Sequence, residues 1–363
     1  MEELKKTCLH SRHLALNAKM SPFAGFNMPI QYSSITQEHN SVRNSAGIFD
    51  VSHMGQIRVT GVDAGDFVNY IFTNDVVQIH NGKIVYGMML YPNGGTLDDL
   101  LVYKEKDDSY LLVINAANID KVLAWIISNK SDYNVNIENL SDYFGQVAIQ
   151  GPNSVKVIED VMGIEVDDLK YYSFKTVLFR ENQIIISRTG YTGEDGFEIY
   201  GSEEIIKFIW DIFITSERIA PCGLGCRDTL RFEAGFPLYG HELSETITPI
   251  MAGLSMFIKF DKETFIGKEA LIKEKKEGPA KKIVGIVLLE KSVPRAGYTV
   301  QIDGKDVGYV TTGYISISTG QAICMALVDP EASRPGTSVG IVIRNKILPA
   351  VVTKRGSWKK RTN

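Results

Sequence analysis

The chain has 363 residues and a mass of 40.4 kDa, more than the roughly 250–300 residues at which a single hydrophobic core stops growing, so at least two domains are expected. Its hydrophobic fraction of 44% and charged fraction of 23% exclude disordered, collagen-like and coiled-coil classes. The net charge of −4 creates no strong field for nucleic acid or an anionic membrane, so we expect a small ligand or a protein as partner.

Neither an export signal nor a membrane-spanning segment is predicted. The first residues, Met1 to Lys6, mix charges and precede no apolar stretch, and no run of about 18 apolar residues occurs elsewhere. Four cysteines are too few for a disulfide framework. The neighbouring pair Cys222 and Cys226 lacks the further ligands of a closed zinc site. We therefore expect a cytoplasmic protein without a bound metal.

Strand-like and helix-like stretches alternate up to about residue 280, which predicts mixed α and β structure. Asp63 and Asn153 are the expected N-caps of two helices, and Gly163 is the expected stop of the second. An apolar stripe at helical spacing predicts four core-facing helices, over residues 64–72, 117–128, 153–163 and from residue 202 onward.

The sequence changes character near residue 280. Residues 268–277 form a charged amphipathic helix that ends at Gly278-Pro279, a combination typical of a domain boundary. Turn signals such as Asp303-Gly304 and Arg344 to Lys346 then separate short β-rich runs. We predict two domains, 1–280 and 281–363, the second a small all-β barrel or sandwich. Its strands are predicted over residues 283–289, 298–302, 307–312, 322–328, 339–344 and 348–353.

Two adjacent carboxylates, Asp98 and Asp99, follow the hairpin turn Asn93-Gly94-Gly95. Because side chains alternate along a strand, Asp99 is expected to share a face with Tyr103, and Asp98 to face the other way. The inward-facing carboxylate lies among leucines, and its burial costs free energy unless a donor meets it. The pattern leaves a structural and a ligand-binding role equally open.

A glycine-dense loop over residues 188–196 joins two predicted strands. Its spacing superficially resembles a phosphate cradle, but a dinucleotide loop opens a helix, whereas Phe197 to Tyr200 continues as strand, so a Rossmann site is rejected. The acids Glu194, Asp195 and Glu198 repel phosphate and favour N–H donors. A ligand with an amide or amidine-like edge, such as a pterin, fits a carboxylate here. The alternative is a tight hairpin with solvated acids.

The helix predicted after this loop places Arg227 and Arg231 on one face. Like charges at this spacing repel by roughly 0.2–0.5 kcal/mol unless an anion lies between them. Glu198 or a ligand oxygen is a candidate for that anion. The alternative is a structural ion-pair network with Asp228 and Glu233, which is expected to occupy one of the two arginines.

Two histidines and the basic tail carry weaker signals. His53 and His241 occur without the spacing of a catalytic triad or a zinc site and are expected to be structural. The tail from Lys354 to Arg361 can bind an acidic partner or ligand carboxylates, although terminal charges are usually solvated.

Taken together, five ordered blocks resemble the glycine cleavage system T-protein family, the aminomethyltransferases. The resemblance extends from about residue 8 to at least residue 353. It implies an α+β fold in which two interleaved α/β subdomains surround a central folate cavity and a β-barrel closes the chain. The blocks are residues 49–54, 93–100, 188–198, 223–228 and 238–240.

The resemblance also implies an activity. Members of this family take the aminomethyl group from the lipoyl arm of H protein, release ammonia and transfer the one-carbon unit to tetrahydrofolate as 5,10-methylenetetrahydrofolate. Asp99 matches the family's catalytic aspartate, and Glu198 and Arg227 match its folate-contacting acid and base. The positions that match residues enclosing or stacking on the folate are Met54, Tyr86, Tyr103, Asn115 and Tyr191.

Two departures from the family and two alternative functions accompany this interpretation. Met256 stands where many relatives have Trp, and the segment after Lys354 is shorter than usual, which disfavours a ligand role for Arg361. One alternative is a folate-dependent demethylase, of which a flavin-fused form is disfavoured by the length of 363 residues. The other is a non-catalytic folate-binding modification or repair protein, against which the retained Asp99 argues.

Overall fold

The computed structural model describes residues 3–356 and residue 358. The chain forms two compact units. One unit comprises the described residues up to Gly87 together with Leu100–Asp228, and the other comprises Met88–Asp99 and the described residues from Thr229 onward. The boundary predicted at residue 280 is a different division and stays a prediction.

Helices and strands alternate through most of the chain, and strands dominate its last part. The helices are α1 His10–Ala15, α2 Ile35–Asn44, α3 Ala64–Ile71, α4 Ile119–Ser128, α5 Ser154–Met162, α6 Glu203–Thr215, α7 Leu224–Glu233 and α8 Lys268–Glu277, with short 3₁₀ turns at Ala116–Asn118, Ser255–Phe257 and Pro330–Ala332. The strands are β1 Lys19–Phe23, β2 Phe26–Gln31, β3 Gly47–Asp50, β4 Gly55–Thr60, β5 Ile84–Leu90, β6 Thr96–Lys106, β7 Ser109–Ile114, β8 Asn136–Asn139, β9 Phe144–Gln150, β10 Phe174–Phe179, β11 Asn182–Ser187, β12 Gly196–Ser202, β13 Ala220–Cys222, β14 Lys282–Leu288, β15 Thr299–Ile302, β16 Lys305–Ile315, β17 Ala322–Val328, β18 Ser338–Ile343 and β19 Lys346–Thr353.

The first unit is built on a six-stranded sheet of order β10-β11-β12-β9-β3-β13. Strand β9 is buried along its whole length, as expected for a central strand covered on both faces. Helices α5 and α6 pack their apolar stripes against this sheet, with Ile158, Ile206 and Trp210 in the shared core. This sheet positions the glycine-dense loop between β11 and β12.

A second sheet has the order β5-β6-β7-β4-β8. The division between the two units falls inside this sheet's first two strands, after Gly87 in β5 and after Asp99 in β6. The Asn93-Gly94-Gly95 turn therefore belongs to the second unit, and the predicted strand that carries Asp98 and Asp99 is confirmed as part of β6.

The C-terminal strands close into a barrel of order β14-β17-β16-β15-β18-β19, which confirms the predicted all-β barrel. Its core contains Ile286, Val310 and Ile341. Asp303 and Gly304 have φ of +50° and +77°, and this pair of left-handed residues is typical of a type I′ hairpin turn. No helix in the described part of the chain is long and apolar enough to cross a membrane.

The predicted N-caps were wrong in their chemistry, although the helices are present. The Asp63 side chain does not cap α3; its Oδ2 accepts from the Asn134 backbone N–H at 2.7 Å. Asn153 does not cap α5 either, because its Nδ2 donates to Ser45 Oγ at 3.3 Å. Gly163 does end α5, with φ of +68°. Both side chains that the local sequence predicts as helix caps instead form hydrogen bonds to residues distant in the sequence.

A buried histidine–aspartate contact joins the N-terminal segment to the first unit's sheet. His13 Nε2 lies 2.8 Å from Asp50 Oδ2, and both side chains are fully buried. Thr7 Oγ1 donates to the same oxygen at 2.7 Å, and the Ser52 N–H donates to Oδ1 at 2.9 Å. Burial raises the pKa of Asp50, but the His13 interaction and these donors outweigh it, so the pKa is lowered overall.

We expect Asp50→Asn to destabilise the protein by about 3–5 kcal/mol, because it leaves His13 without its buried partner. The matched control is Asp211→Asn, which breaks the exposed Arg12–Asp211 pair and is expected to cost about 0–1 kcal/mol. Urea unfolding followed by circular dichroism measures both.

The same pair predicts a pH dependence. The folded-state pKa of Asp50 is lowered. The difference in free energy of unfolding between wild type and Asp50→Asn should therefore have its full size above the ordinary Asp pKa of about 3.9. It should shrink as the pH falls through the folded value. Equal destabilisation by Asp50→Asn and Asp211→Asn would contradict this assignment.

Candidate functional site

Glu198 is a buried carboxylate in the middle of β12, 6% exposed. Thr189 Oγ1 donates to its Oε2 at 2.7 Å, and the Tyr200 hydroxyl donates to the same oxygen at 3.2 Å. No described residue donates to Oε1. The carboxylate therefore has one oxygen satisfied by the protein and one left for another donor.

A chain of hydroxyls supports this arrangement. Tyr103 OH lies 2.8 Å from Tyr200 OH and 3.1 Å from Ser187 Oγ, and Ser187 Oγ lies 2.8 Å from Thr189 Oγ1. Burial, with Glu198 nearby, raises the pKa of both tyrosines, so they remain neutral donors at neutral pH. These contacts fix the orientation of the Glu198 carboxylate.

Arg227, in the first turns of α7, lies within electrostatic range of Glu198. Burial lowers the pKa of its guanidinium, and the Glu198 charge opposes this shift. Its guanidinium carbon lies 4.9 Å from the centre of the Tyr191 ring, a cation–π contact. Its Nη1 is buried and has no hydrogen-bond partner among the described residues. Buried donors of this kind are uncommon in folded proteins.

The structure brings together two of the other predicted site residues and places two more on nearby elements of the chain's first unit. Met54 and Tyr103 belong to one apolar cluster, which also contains Tyr200. Tyr86 lies on β5, and Asn115 directly precedes the Ala116–Asn118 turn; both are partly exposed.

Two of the three loop acids form ion pairs within the protein. Arg43 Nη1 lies 2.9 Å from Glu194 Oε1, and Arg188 Nη2 lies 2.7 Å from Asp195 Oδ2. The loop therefore joins an antiparallel hairpin of β11 and β12, as in the alternative, but these two acids are ion-paired. Since both are neutralised by arginines, Glu198 is the loop-region acid suited to bind a ligand.

Adjacent acids on β6 have opposite environments. Asp98 is fully buried, whereas Asp99 is partly exposed, as strand alternation predicts. Asp99 belongs to the second unit, and Glu198 and Arg227 belong to the first. Their convergence on one site stays a prediction.

Arg231 has the structural role expected for one of the two arginines, and Glu242 is one of its partners. Its Nη1 lies 3.0 Å from Glu242 Oε2 in a fully buried pair. Glu233 accepts from the hydroxyls of Ser316 and Ser318. Sequence reasoning had not considered Glu242.

His53 is buried, and its Nδ1 has no hydrogen-bond partner in the part of the chain that the structure describes. Its ring packs edge-on against Phe23 and Phe26. Burial lowers its pKa to about 4, so the imidazole is neutral at pH 7. His241 Nδ1 lies 3.1 Å from the Thr311 carbonyl oxygen. Arg361 lies outside the described residues.

Comparison with known proteins identifies the family. A family model described as the GCVT N-terminal domain matches residues 9–262, and one described as the glycine cleavage T-protein C-terminal barrel domain matches residues 281–359. The chain belongs to the glycine cleavage T-protein family.

Full-length relatives agree. The T-protein-family chain is 46% identical to an aminomethyltransferase of Caldanaerobacter subterraneus subsp. tengcongensis, with 99% of this chain and 97% of that protein covered. It is also 46% identical to one from Alkaliphilus oremlandii over the whole of both chains. The crystal structure of the glycine cleavage system aminomethyltransferase T from Bartonella henselae superposes with a TM-score of 0.93 at 30% identity, covering 98% of each chain.

Sequence reasoning missed the residues that orient the T-protein motif residues. The sequence predicts Thr189 in a loop and Tyr200 in a strand, and the structure shows that both also donate a hydrogen bond to Glu198. Gln150, at the end of β9, contacts the glycine-dense loop. The sequence shows Gln150 only as a polar residue at the end of an apolar strand. This pattern does not predict which groups its side chain contacts.

We expect Thr189→Val to destabilise this T-protein-family chain by about 1–3 kcal/mol, because the buried Glu198 loses a donor while the side-chain shape is kept. Thr215→Val is the matched control. It removes an exposed hydroxyl that donates within α6, and its effect should stay within about 0.5 kcal/mol. Thermal unfolding of the two variants gives the comparison, and similar melting temperatures would contradict the role given to Thr189.

Proposed function

We propose that the protein is the aminomethyltransferase of the glycine cleavage system. It transfers the one-carbon unit of an aminomethyl group, carried on the lipoyl arm of H protein, to tetrahydrofolate. Full-length relatives with this name at 46% identity support the proposal. Tetrahydrofolate and lipoylated H protein are its proposed substrate and partner.

The observation that carries the folate assignment is that only some polar atoms of Glu198 and Arg227 have hydrogen-bond partners among the described residues. Both described donors to Glu198 go to its Oε2, and the buried Arg227 Nη1 has no acceptor among the described residues. The pterin ring offers an amino group and a ring N–H as donors beside a carbonyl acceptor. A carboxylate and a guanidinium complement such an edge.

Aromatic residues suit the rest of such a ligand. The Arg227 guanidinium carbon lies 4.9 Å from the centre of the Tyr191 ring, and Met54 and Tyr103 lie in one cluster beside the Glu198 hydroxyl chain. We propose that these residues, with Tyr86 and Asn115, enclose the folate through apolar and stacking contacts.

Asp99 is the proposed catalytic residue. Its partial exposure allows a substrate to reach it, whereas Asp98 is fully buried. An ionised carboxylate near the attacking amine of the folate stabilises the positive charge that develops on nitrogen during attack. The adjacent acids thus have separate proposed roles, Asp98 in the fold and Asp99 in the chemistry.

The proposed reaction balances without an oxidant. The carbon–sulfur bond to the lipoyl arm and the carbon–nitrogen bond to the amino group break, and two bonds form between the carbon and the two folate nitrogens. The two protons released by those nitrogens end on the thiol and on ammonia.

We expect Asp99→Asn to lower kcat about 100-fold or more while tetrahydrofolate affinity changes little, because its charge is needed in the transition state. Turnover is measured as ammonia release with aminomethylated H protein, and folate binding by calorimetry.

Asp98→Asn is the control for this experiment. It alters the neighbouring buried carboxylate and should lower thermal stability while leaving kcat far closer to wild type. Undiminished turnover in Asp99→Asn would refute the catalytic assignment. Tetrahydrofolate binding by the wild type without ammonia release would instead favour the non-catalytic alternative.

A further inference from the structure

Gln150 lies at the end of β9 with its side chain fully buried against the glycine-dense loop. Its Nε2 donates to the Thr189 carbonyl oxygen at 3.0 Å, and its Oε1 accepts from Thr192 Oγ1 at 2.9 Å. One carboxamide therefore holds the residues on both sides of Gly190 and Tyr191.

The loop glycines leave space for this carboxamide. A Cβ at position 190 would lie 1.9 Å from Gln150 Oε1, and one at position 196 would lie 2.4 Å from Gln150 Nε2. Neither approach is possible for a residue with a side chain. The glycines therefore bring the loop backbone into contact with the Gln150 amide, in place of the phosphate that their spacing suggested.

Both residues held by Gln150 lead to the proposed pterin contacts. Thr189, whose carbonyl accepts from Gln150, donates through its hydroxyl to Glu198 Oε2. Tyr191, between the two anchored threonines, packs on the Arg227 guanidinium. A shift of the loop would move both the Glu198 donor and the Arg227 stacking partner.

We infer that Gln150 is a positioning residue for the pterin-binding acid and base: its amide fixes the loop so that Glu198 and Arg227 face one ligand edge. This rests on the proposed function. Gln150 touches neither the reacting atoms nor the charged groups, so its loss acts on folate affinity more than on the chemical step.

The test compares Gln150→Leu with Gln146→Leu. Gln146 is another buried glutamine of β9, but its Oε1 accepts from Gln56 Nε2, away from the loop. Gln150→Leu should raise the KM for tetrahydrofolate about tenfold or more, while the KM for H protein stays near wild type. Gln146→Leu should lower the melting temperature without raising the KM for tetrahydrofolate.

Two further variants keep the inference testable if Gln150→Leu does not fold. Thr192→Val removes the donor to Oε1, together with the acceptor of the Glu194 backbone N–H, and leaves the Gln150 Nε2 contact in place. It should raise the same KM by a smaller factor. Gln150→Glu should raise it at neutral pH, because a carboxylate cannot donate to the Thr189 carbonyl. Lowering the pH protonates the glutamate and restores a donor. The KM of Gln150→Glu should therefore fall toward the wild-type KM measured at the same pH.

The outcomes separate this inference from the proposed function. Wild-type turnover with an unchanged tetrahydrofolate KM in the folded Gln150 variants overturns the positioning role alone. An equal rise in Gln146→Leu also overturns it, since the effect would then be general destabilisation. Absence of tetrahydrofolate turnover by the wild type overturns the proposed function and this inference with it.

Discussion

A buried carboxylate must be matched by donors, and the way this protein meets that requirement separates its structural acids from its candidate binding acid. Asp50 uses both oxygens, with Thr7 and His13 on one and the Ser52 N–H on the other. Glu242 likewise has donors on both oxygens. Glu198 has both of its donors on Oε2. In the proposed function, the pterin supplies the donor to Oε1.

Local patterning predicted the elements well and the partners of their side chains poorly. Helices α3 to α6, the charged helix α8 and the barrel strands follow from hydrophobic period and turn residues. Capping by Asp63 and Asn153 failed because each side chain found a tertiary partner instead. Arg231 was assigned to an ion pair, but its partner Glu242 lies beyond the end of the helix. Hydrogen-bond partners distant in sequence are set by the assembled fold, which local propensity does not contain.

The candidate site shows the same limit. Glu198, Arg227 and Tyr191 were accessible to motif comparison, and the opposite burial of Asp98 and Asp99 was accessible to strand alternation. The hydroxyl chain through Tyr103, Tyr200, Ser187 and Thr189 was not, because it joins three strands at registers that no local pattern fixes. The glycine spacing does indicate a close approach of the loop backbone to another group. That group is the Gln150 side chain and not a phosphate.

The chemical identity of Gln150 fits its place beside a charged site. A carboxamide supplies one donor and one acceptor without net charge, so it can hold the loop without altering the field between Glu198 and Arg227. An aspartate or glutamate there would add a negative charge near Glu198, and a lysine would offer no acceptor to Thr192. The neighbouring loop acids are neutralised by Arg43 and Arg188. With these two acids paired, Glu198 and Arg227 are the charges through which the proposed ligand would be recognised.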